Sequence, residues 1–516
     1  MKTTDLTLRL PAEDARVVSL VRAVDETDRL GELLPVSERQ QLTQAAFGDV
    51  DLAPLKSAEG TIDADGADRK ALKRLEAPLA DRAREIGEAL SRHHSELGAL
   101  LRSTWAAGPT AGLLILAVIA GALSNVLGPS KAVSVLAPPL LGLIVWNVLV
   151  FLILSIGTVR RLLLPPDPKG SLPVRFEGLI RRWSARSTPV EGGVLSRVVT
   201  EHRRAWFRAA LPLEAARWSG RFHLAAAALV ISTVVGMYAR GLAFEYRATW
   251  ESTFLSAGTV DAILGFVLWP AQRILILDLP TVESLRAPAS GSAAPWIHAW
   301  AMSAVLLVVV PRLALAGRAA LHAWRLRRRL PLSISPSYVR RIVATASTTP
   351  HEVQILPYSY RPVERSTEVL RRAVLDFLGA RAVLRIGSTL GYGDAPPPSS
   401  AAWRIVLFNL AQTPEVEVHG ELLGQLAGEL ADGQRLLVLV DEAPFLDRVP
   451  GSQRAERRES RRRAWLRNLA ASTDDGVAVE VPAPVFLALD DELDPDLAVD
   501  ALTRGAWPPG AGGGPP

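Results

Sequence analysis

Four apolar runs dominate the hydropathy of this chain: Thr110–Gly128, Val135–Gly157, Phe222–Ala239 and Trp296–Gly317. A helix rises about 1.5 Å per residue, so roughly 20 apolar residues match a hydrocarbon core about 30 Å thick. The first two runs carry no charged residue. The pattern predicts an α-helical integral membrane protein with four transmembrane helices. Phe254–Leu277 is also apolar, but it carries Asp261 and Arg273, each of which costs about 2.5–3.5 kcal/mol at a bilayer centre. It reads as an amphipathic or re-entrant segment at the periplasmic face rather than a fifth crossing.

Outside these runs the pattern changes twice. Residues 1–108 read as a cytosolic helical region, with Ser37 capping SERQQLTQAAF. A longer helix is expected from about Ala67 to Trp105, with Leu72, Leu75, Leu79, Ile86 and Leu90 on one face. Running straight into the first apolar run, it would form a stalk. Asp63–Asp68 (DADGAD) misplaces the glycine of a calcium loop and lacks its closing glutamate, so a turn is expected there. From about Leu330, β-rich runs alternate with helical ones: HEVQILPYSY, STEVLRRAVLDFLG, ARAVLRIGS, AAWRIVLFNL, HGELLGQLAGELADG, RLLVLVDEAPF, an Arg-rich helix, VAVEVPA and DPDLAVDALTRG. Such alternation predicts a doubly wound, mainly parallel sheet.

The expected order is therefore a helical region (1–108), a transmembrane hairpin (109–158), a basic helical linker beginning PPDPKG (159–221) and a second transmembrane pair (222–317) with its periplasmic loop (240–295). A polybasic segment (318–330), a cytosolic α/β domain (331–504) and a disordered tail (505–516) complete it.

Charge gives the orientation. From Val159 to Arg221 there are thirteen Lys/Arg against five Asp/Glu, and Arg325, Arg327, Arg328 and Arg329 follow the fourth run. The turn between the first two runs holds only Lys131, with Pro138 and Pro139 beyond it. Positive loops stay inside, so both termini are expected in the cytoplasm, and the basic clusters would meet anionic lipid headgroups. The net charge of +5 is thus explained by topology ahead of nucleic-acid binding. The Ala-, Arg-, Gly- and Pro-rich composition suggests a bacterial inner membrane. MKTTDLTLRLPAEDARVV lacks the apolar core of a cleaved signal peptide. No cysteine is present, which excludes disulfides and thiolate chemistry.

Candidate chemistry concentrates in RGLAFEYRATWESTF (Arg240–Phe254). If helical, Tyr246 and Trp250 form an aromatic i,i+4 pair and Arg247 and Glu251 an ionic one, with Glu245, Ser252 and Thr253 beside them. An interfacial anchor and a functional periplasmic face both fit, and the density of polar groups favours the second. The strings GMYARGLAFEYRATWESTFL and LGFVLWPA, with LFNLAQTPEVEVHG and LLVLVDEAPFLDR, resemble an uncharacterised bacterial membrane-protein family, domain of unknown function 2868. The resemblance spans roughly Leu211 to Trp465. Members of that family tend to be encoded beside a P-loop GTPase, so the resemblance implies such a GTPase as partner and no established activity.

The C-terminal order is compatible with a degenerate G-domain or with a generic doubly wound fold. There is no G-x-x-x-x-G-K-[ST] and no NKxD. Asn409, Gln412, Thr413, Glu415, Asp441 and Glu442 lie at strand ends, where such sheets place ligands; they are candidates for a docking surface, with ordinary capping as the alternative. The run RAERRESRRRAWLRN sets Glu456 and Glu459 among seven arginines and reads as a solvated helix, with acidic-partner docking next and nucleic-acid contact last. The eight histidines (93, 94, 202, 223, 298, 322, 351 and 419) form no ligand motif, and no cofactor or metal is expected. Asn125 and Asn147 read as inter-helix hydrogen-bonding groups. Together these features predict a non-enzymatic membrane scaffold working with a GTPase, as a monomer or homo-oligomer; a transporter or channel component and a nucleotide-binding enzyme stay open.

Overall fold

The computed structural model describes residues 6–48, 69–102, 108–124, 132–163, 193–346, 351–431, 433–471 and 482–505. In chain order, β1 (Leu6–Leu10), α1 (Ala12–Thr27), α2 (Val36–Phe47), α3 (Arg69–His93) and α4 (Ser95–Arg102) precede the apolar helices α5 (Gly108–Leu123) and α6 (Pro138–Leu163), with β2 (Ala132–Ser134) between those two. Next come α7 (Val194–Ala243), β3 (Arg247–Thr249), α8 (Ala257–Leu275), β4 (Gly291–Ser292) and α9 (Ala294–Arg328). The remainder holds β5 (Leu330–Ile334), α10 (Pro336–Ala346), β6 (Glu352–Pro357), α11 (Glu364–Leu378), β7 (Val383–Ile386), β8 (Trp403–Asn409), α12 (Glu421–Gly428), β9 (Arg435–Asp441), α13 (Arg454–Ala471), β10 (Val485–Leu487) and α14 (Pro495–Gly505). Two compact units result. One gathers Met1–Leu101, Gly192–Trp206 and Pro331–Pro516, and the other Arg102–Glu191 and Phe207–Leu330.

In the first unit the two ends of the chain pack together. β1 pairs with β5, and Leu75, Leu79, Ile86 and Leu90 of α3 are buried where α1 and α2 cover them. The apolar stripe expected on a stalk is therefore the wall of a folded body. Its helix is interrupted at His94, whose Nε2 meets the Leu33 carbonyl (3.1 Å). α2 starts at Val36 with Pro35 in the cap position, so Ser37 lies inside the first turn rather than capping it.

The sheet of this unit is five-stranded and wholly parallel, in the order β10-β9-β8-β6-β7. β8 is buried along its whole length, as a strand covered on both faces must be. Its alternate residues feed two cores: Ile405 and Leu407 pack with Leu370 and Val374 of α11 and Leu502 of α14, while Val406 and Phe408 pack with Leu423 of α12 and Trp465 of α13. The last described strand is Val485–Leu487; most of VAVEVPA lies outside the described residues. Asp63–Asp68, Asn125, Lys131, the PPDPKG stretch and residues 506–516 also lie outside them.

Among the described residues three helices are long and apolar enough to cross a membrane, Pro139–Arg160, Val194–Ala243 and Ala294–Arg328, together with a shorter apolar helix, Thr110–Leu123; all lie in the second unit except the start of Val194–Ala243, which belongs to the first as far as Trp206. The described part of the first apolar run thus forms a helix shorter than the expected span. α5 and α7 meet closely at Gly121, where an added Cβ would stand 2.3 Å from the Leu229 carbonyl oxygen. Ser232 and Thr233 donate to the carbonyls of Val118 (2.8 Å) and Gly121 (3.2 Å) across the same contact; small residues and hydroxyls of this kind let helix backbones approach. Large apolar side chains stay exposed on these helices, among them Leu116, Trp146, Ile153 and Val235.

Candidate functional site

The strand order of the parallel sheet reverses between β6 and β8, and ligands of such sheets bind at the carboxyl ends beside that switch. Here the chain's own groups fill the place. Gln412 donates from Nε2 to the carbonyls of Tyr358 (3.1 Å) and Ser359 (2.9 Å) and accepts from the Asn409 N–H (3.1 Å). Arg461 of α13 donates to the carbonyls of Leu410, Ala411 and Gln412 (3.1, 3.1 and 2.7 Å). The turn after β6 contains Ser359 at φ +47°, a position that favours glycine, yet no glycine stands between β6 and α11. α11 opens with an acidic residue, Glu364, which disfavours an anion at its positive end.

Asp441 and Glu442 are both fully buried. Asp441 accepts from Tyr360 Oη (2.7 Å), Ala443 N (2.9 Å) and Leu489 N (3.1 Å). Burial pushes its carboxyl above the ordinary value despite those bonds, and burial beside Asp441 raises the Tyr360 hydroxyl. Glu442 is clamped by Arg458 (Nε, 2.8 Å) and Arg462 (Nη2, 2.7 Å). Three of the seven arginines expected on a solvated helix therefore turn onto the sheet end. Of the six strand-end candidates, Asn409, Asp441 and Glu442 are buried and Gln412 is half-buried, while Thr413 and Glu415 are exposed.

The block Arg240–Phe254 is not one helix. α7 stops at Ala243, and Arg247–Thr249 becomes the middle strand of a small sheet, parallel to β2 and antiparallel to β4. The i,i+4 pairs expected from a helical register do not form. Trp250 is a core residue, 1% exposed, and donates from Nε1 to the Val282 carbonyl (2.7 Å). Arg247 donates to Ser290 (Oγ 3.0 Å, O 3.3 Å) instead of pairing with Glu251. Ser252 Oγ accepts from the N–H of Phe254 and Leu255, opening the turn into α8. Glu245, Glu251 and Thr253 are exposed, and Tyr246 and Arg240 half-buried.

Two constellations have no sequence motif. In the first unit a cavity of about 680 Å³ is lined by Asp25, Arg39, Arg82, Arg341, Arg372 and Asp376 among others. At its wall Asp25 accepts from Arg82 Nη2 (2.9 Å), Tyr338 Oη (3.0 Å) and Arg39 Nη1 (3.4 Å). Burial acts to raise the Asp25 carboxyl, but the guanidiniums of Arg82, Arg39 and Arg341 outweigh it and hold the group below its ordinary value. In the second unit Arg312 of α9, buried, donates to Asn147 Oδ1 of α6 (2.8 Å) and to His223 Nδ1 of α7 (3.0 Å).

No protein-family model, curated protein or solved structure matches this chain. The fold and site define its class by themselves: a largely helical protein with helices apolar enough for a membrane and a parallel α/β sheet whose ligand crevice is self-occupied.

Proposed function

We propose that this protein is a non-enzymatic scaffold of the bacterial inner membrane, both termini cytoplasmic, that couples a partner GTPase to its membrane helices. The observation carrying this reading is the filled crevice: Gln412, Arg461 and the Asp441–Tyr360 pair occupy the place where a doubly wound sheet would otherwise take a nucleotide. A sheet closed there is suited to docking a protein over its exposed rim at Thr413 and Glu415. The choice of a GTPase rests on the resemblance to domain of unknown function 2868.

The membrane reading draws support from the apolar surface of the second unit and from parity. The first unit takes segments from both ends of the chain and from Gly192–Trp206, so the chain leaves it twice and returns twice. A folded body occupies one side of a bilayer, so each excursion crosses an even number of times. That favours α5 with α6 and α7 with α9, four crossings including the short α5, and leaves α8 on the outer face. The Lys/Arg bias sets the first unit inside.

The full chain, extracted in mild detergent with and without a non-hydrolysable GTP analogue, should retain a GTPase in at least one condition. Retention of none, or rapid GTP turnover by the purified chain alone, overturns the proposal.

A further inference from the structure

We propose that Arg312 is the centre of a phosphate-binding site within the membrane unit, open to the phosphate of an acidic lipid headgroup or to a free phosphate. The inference rests on the membrane reading above but on none of the GTPase argument.

α9 places this residue with unusual care. Pro311 has no N–H for the Leu307 carbonyl and crowds it, and a π-helical turn over Val305–Val309 takes up the conflict; such turns recur at functional sites. Val308 and Val309 are buried, and Arg312 follows them by four and three residues, on the same inward face.

The partners of the guanidinium are all neutral. Asn147 spends its own amide N–H on the Leu143 carbonyl (2.8 Å), which turns Oδ1 toward Arg312. Arginine only donates, so His223 Nδ1 must be the unprotonated nitrogen of its ring. Phe151, one turn beyond Asn147, presents its ring 5.0 Å from the guanidinium carbon. Among the described residues no carboxylate pairs with Arg312, and of the five N–H donors of an arginine two are used.

A guanidinium held out of water without a counter-charge is costly. Phosphate oxygens match the two-pronged geometry of the remaining donors. The depth suits this too. Arg312 lies sixteen residues beyond Trp296, or about 24 Å of helix, which leaves roughly 6 Å to the inner edge of a 30 Å core. Arg221 and Arg318 stand toward the same end in sequence, and basic pockets between helices on the cytoplasmic side are where acidic headgroups bind. A purely structural tie among α6, α7 and α9 would account for Asn147 and His223 but not for the unmatched charge.

The test is thermal unfolding of the full chain in a neutral detergent, titrated separately with phosphatidylglycerol, phosphatidylcholine and inorganic phosphate. Phosphatidylglycerol should stabilise saturably and phosphatidylcholine should not. Arg312→Gln should weaken the response about ten-fold or more, Arg312→Lys less, and Arg385→Gln, on the exposed edge strand of the first unit, should leave it unchanged. Stabilisation by inorganic phosphate with the same dependence on Arg312 supports the site and assigns it to a free anion. Equal stabilisation by both lipids, or a phosphatidylglycerol response that survives Arg312→Gln, overturns it. Should Arg312→Gln not fold, native mass spectrometry of the wild-type protein from mixed micelles decides, with selective retention of phosphatidylglycerol expected and equal retention of both lipids refuting. Flotation with pure phosphatidylcholine vesicles separates the two proposals: a chain that does not float sinks the membrane reading, whereas one that floats without phosphatidylglycerol preference sinks only this site.

Discussion

Replacing Asp25 by Asn should loosen the first unit along a defined seam. Asp25 of α1 accepts from Arg82 of α3, Arg39 of α2 and Tyr338 of α10, so one carboxylate ties the N-terminal helices to the C-terminal half. The side chains of Arg82 and Arg39 are 6% and 8% exposed and cannot rehydrate in place. Arg39 keeps the Asp28 carbonyl (2.6 Å) and a carboxylate at 3.8 Å, whereas Arg82 has no second ion pair among the described residues. Removing one member of a buried pair costs about 3–5 kcal/mol, or hydrogen exchange faster by roughly 10²-fold to several thousand-fold where opening of the unit controls it. Exchange read by mass spectrometry in α1 and α10 should show it, while α6 and α9 stay unchanged. Adding Arg82→Met to Asp25→Asn should restore much of the loss, since an apolar replacement removes the uncompensated charge. The folded carboxyl lies below the usual value near 3.8, so its contribution is present above that pH and lost as pH falls through the folded value. The gap between wild type and variant should therefore hold from pH 7 to about 5 and close below about 4. Exchange in α1 and α10 within three-fold of wild type at pH 7 would refute the reasoning.

Glu442→Gln frees Arg458 and Arg462, whose side chains are 37% and 28% exposed; because they can rehydrate, the cost should be smaller, about 1–3 kcal/mol. Trypsin should then cut α13 several-fold faster, and an unchanged cleavage rate would count against the clamp. Gly121→Leu should lower the melting temperature of the detergent-solubilised chain by forcing α5 off α7, at about 1–3 kcal/mol. Gly112→Leu, on the same helix with nothing within 4 Å of an added Cβ, should not, and equal effects of the two would discredit the crossing.

The legible parts of this fold are those whose signal is local. β8 and β9 carry the continuous apolar runs Ile405–Phe408 and Leu436–Val440 because both faces are covered, and the apolar runs at Phe222–Ala239 and Trp296–Gly317, with Val135–Gly157 from Pro138 onward, fall within long helices. Register and pairing are not local. Three apolar residues, Val485–Leu487, are too few to declare a strand, yet they pair with Leu439–Asp441. Over the few residues around Arg247, helical and extended spacings cannot be told apart, and it is the neighbouring β2 and β4 that choose the extended form. Arg312 hides in a run that is apolar on average, and the groups that receive it lie 165 and 89 residues away; Asp25 and Tyr338 are 313 apart. The sheet end shows the limit most clearly. Asp441 and Glu442 read as an acidic edge awaiting a partner, and the arginine run from Arg454 reads as a solvated surface awaiting another. Each reading is sound for an isolated segment, because charge is normally hydrated. Folding sets the two against each other, and an acidic edge that has found its cations within the chain has little left to offer an anion-seeking partner.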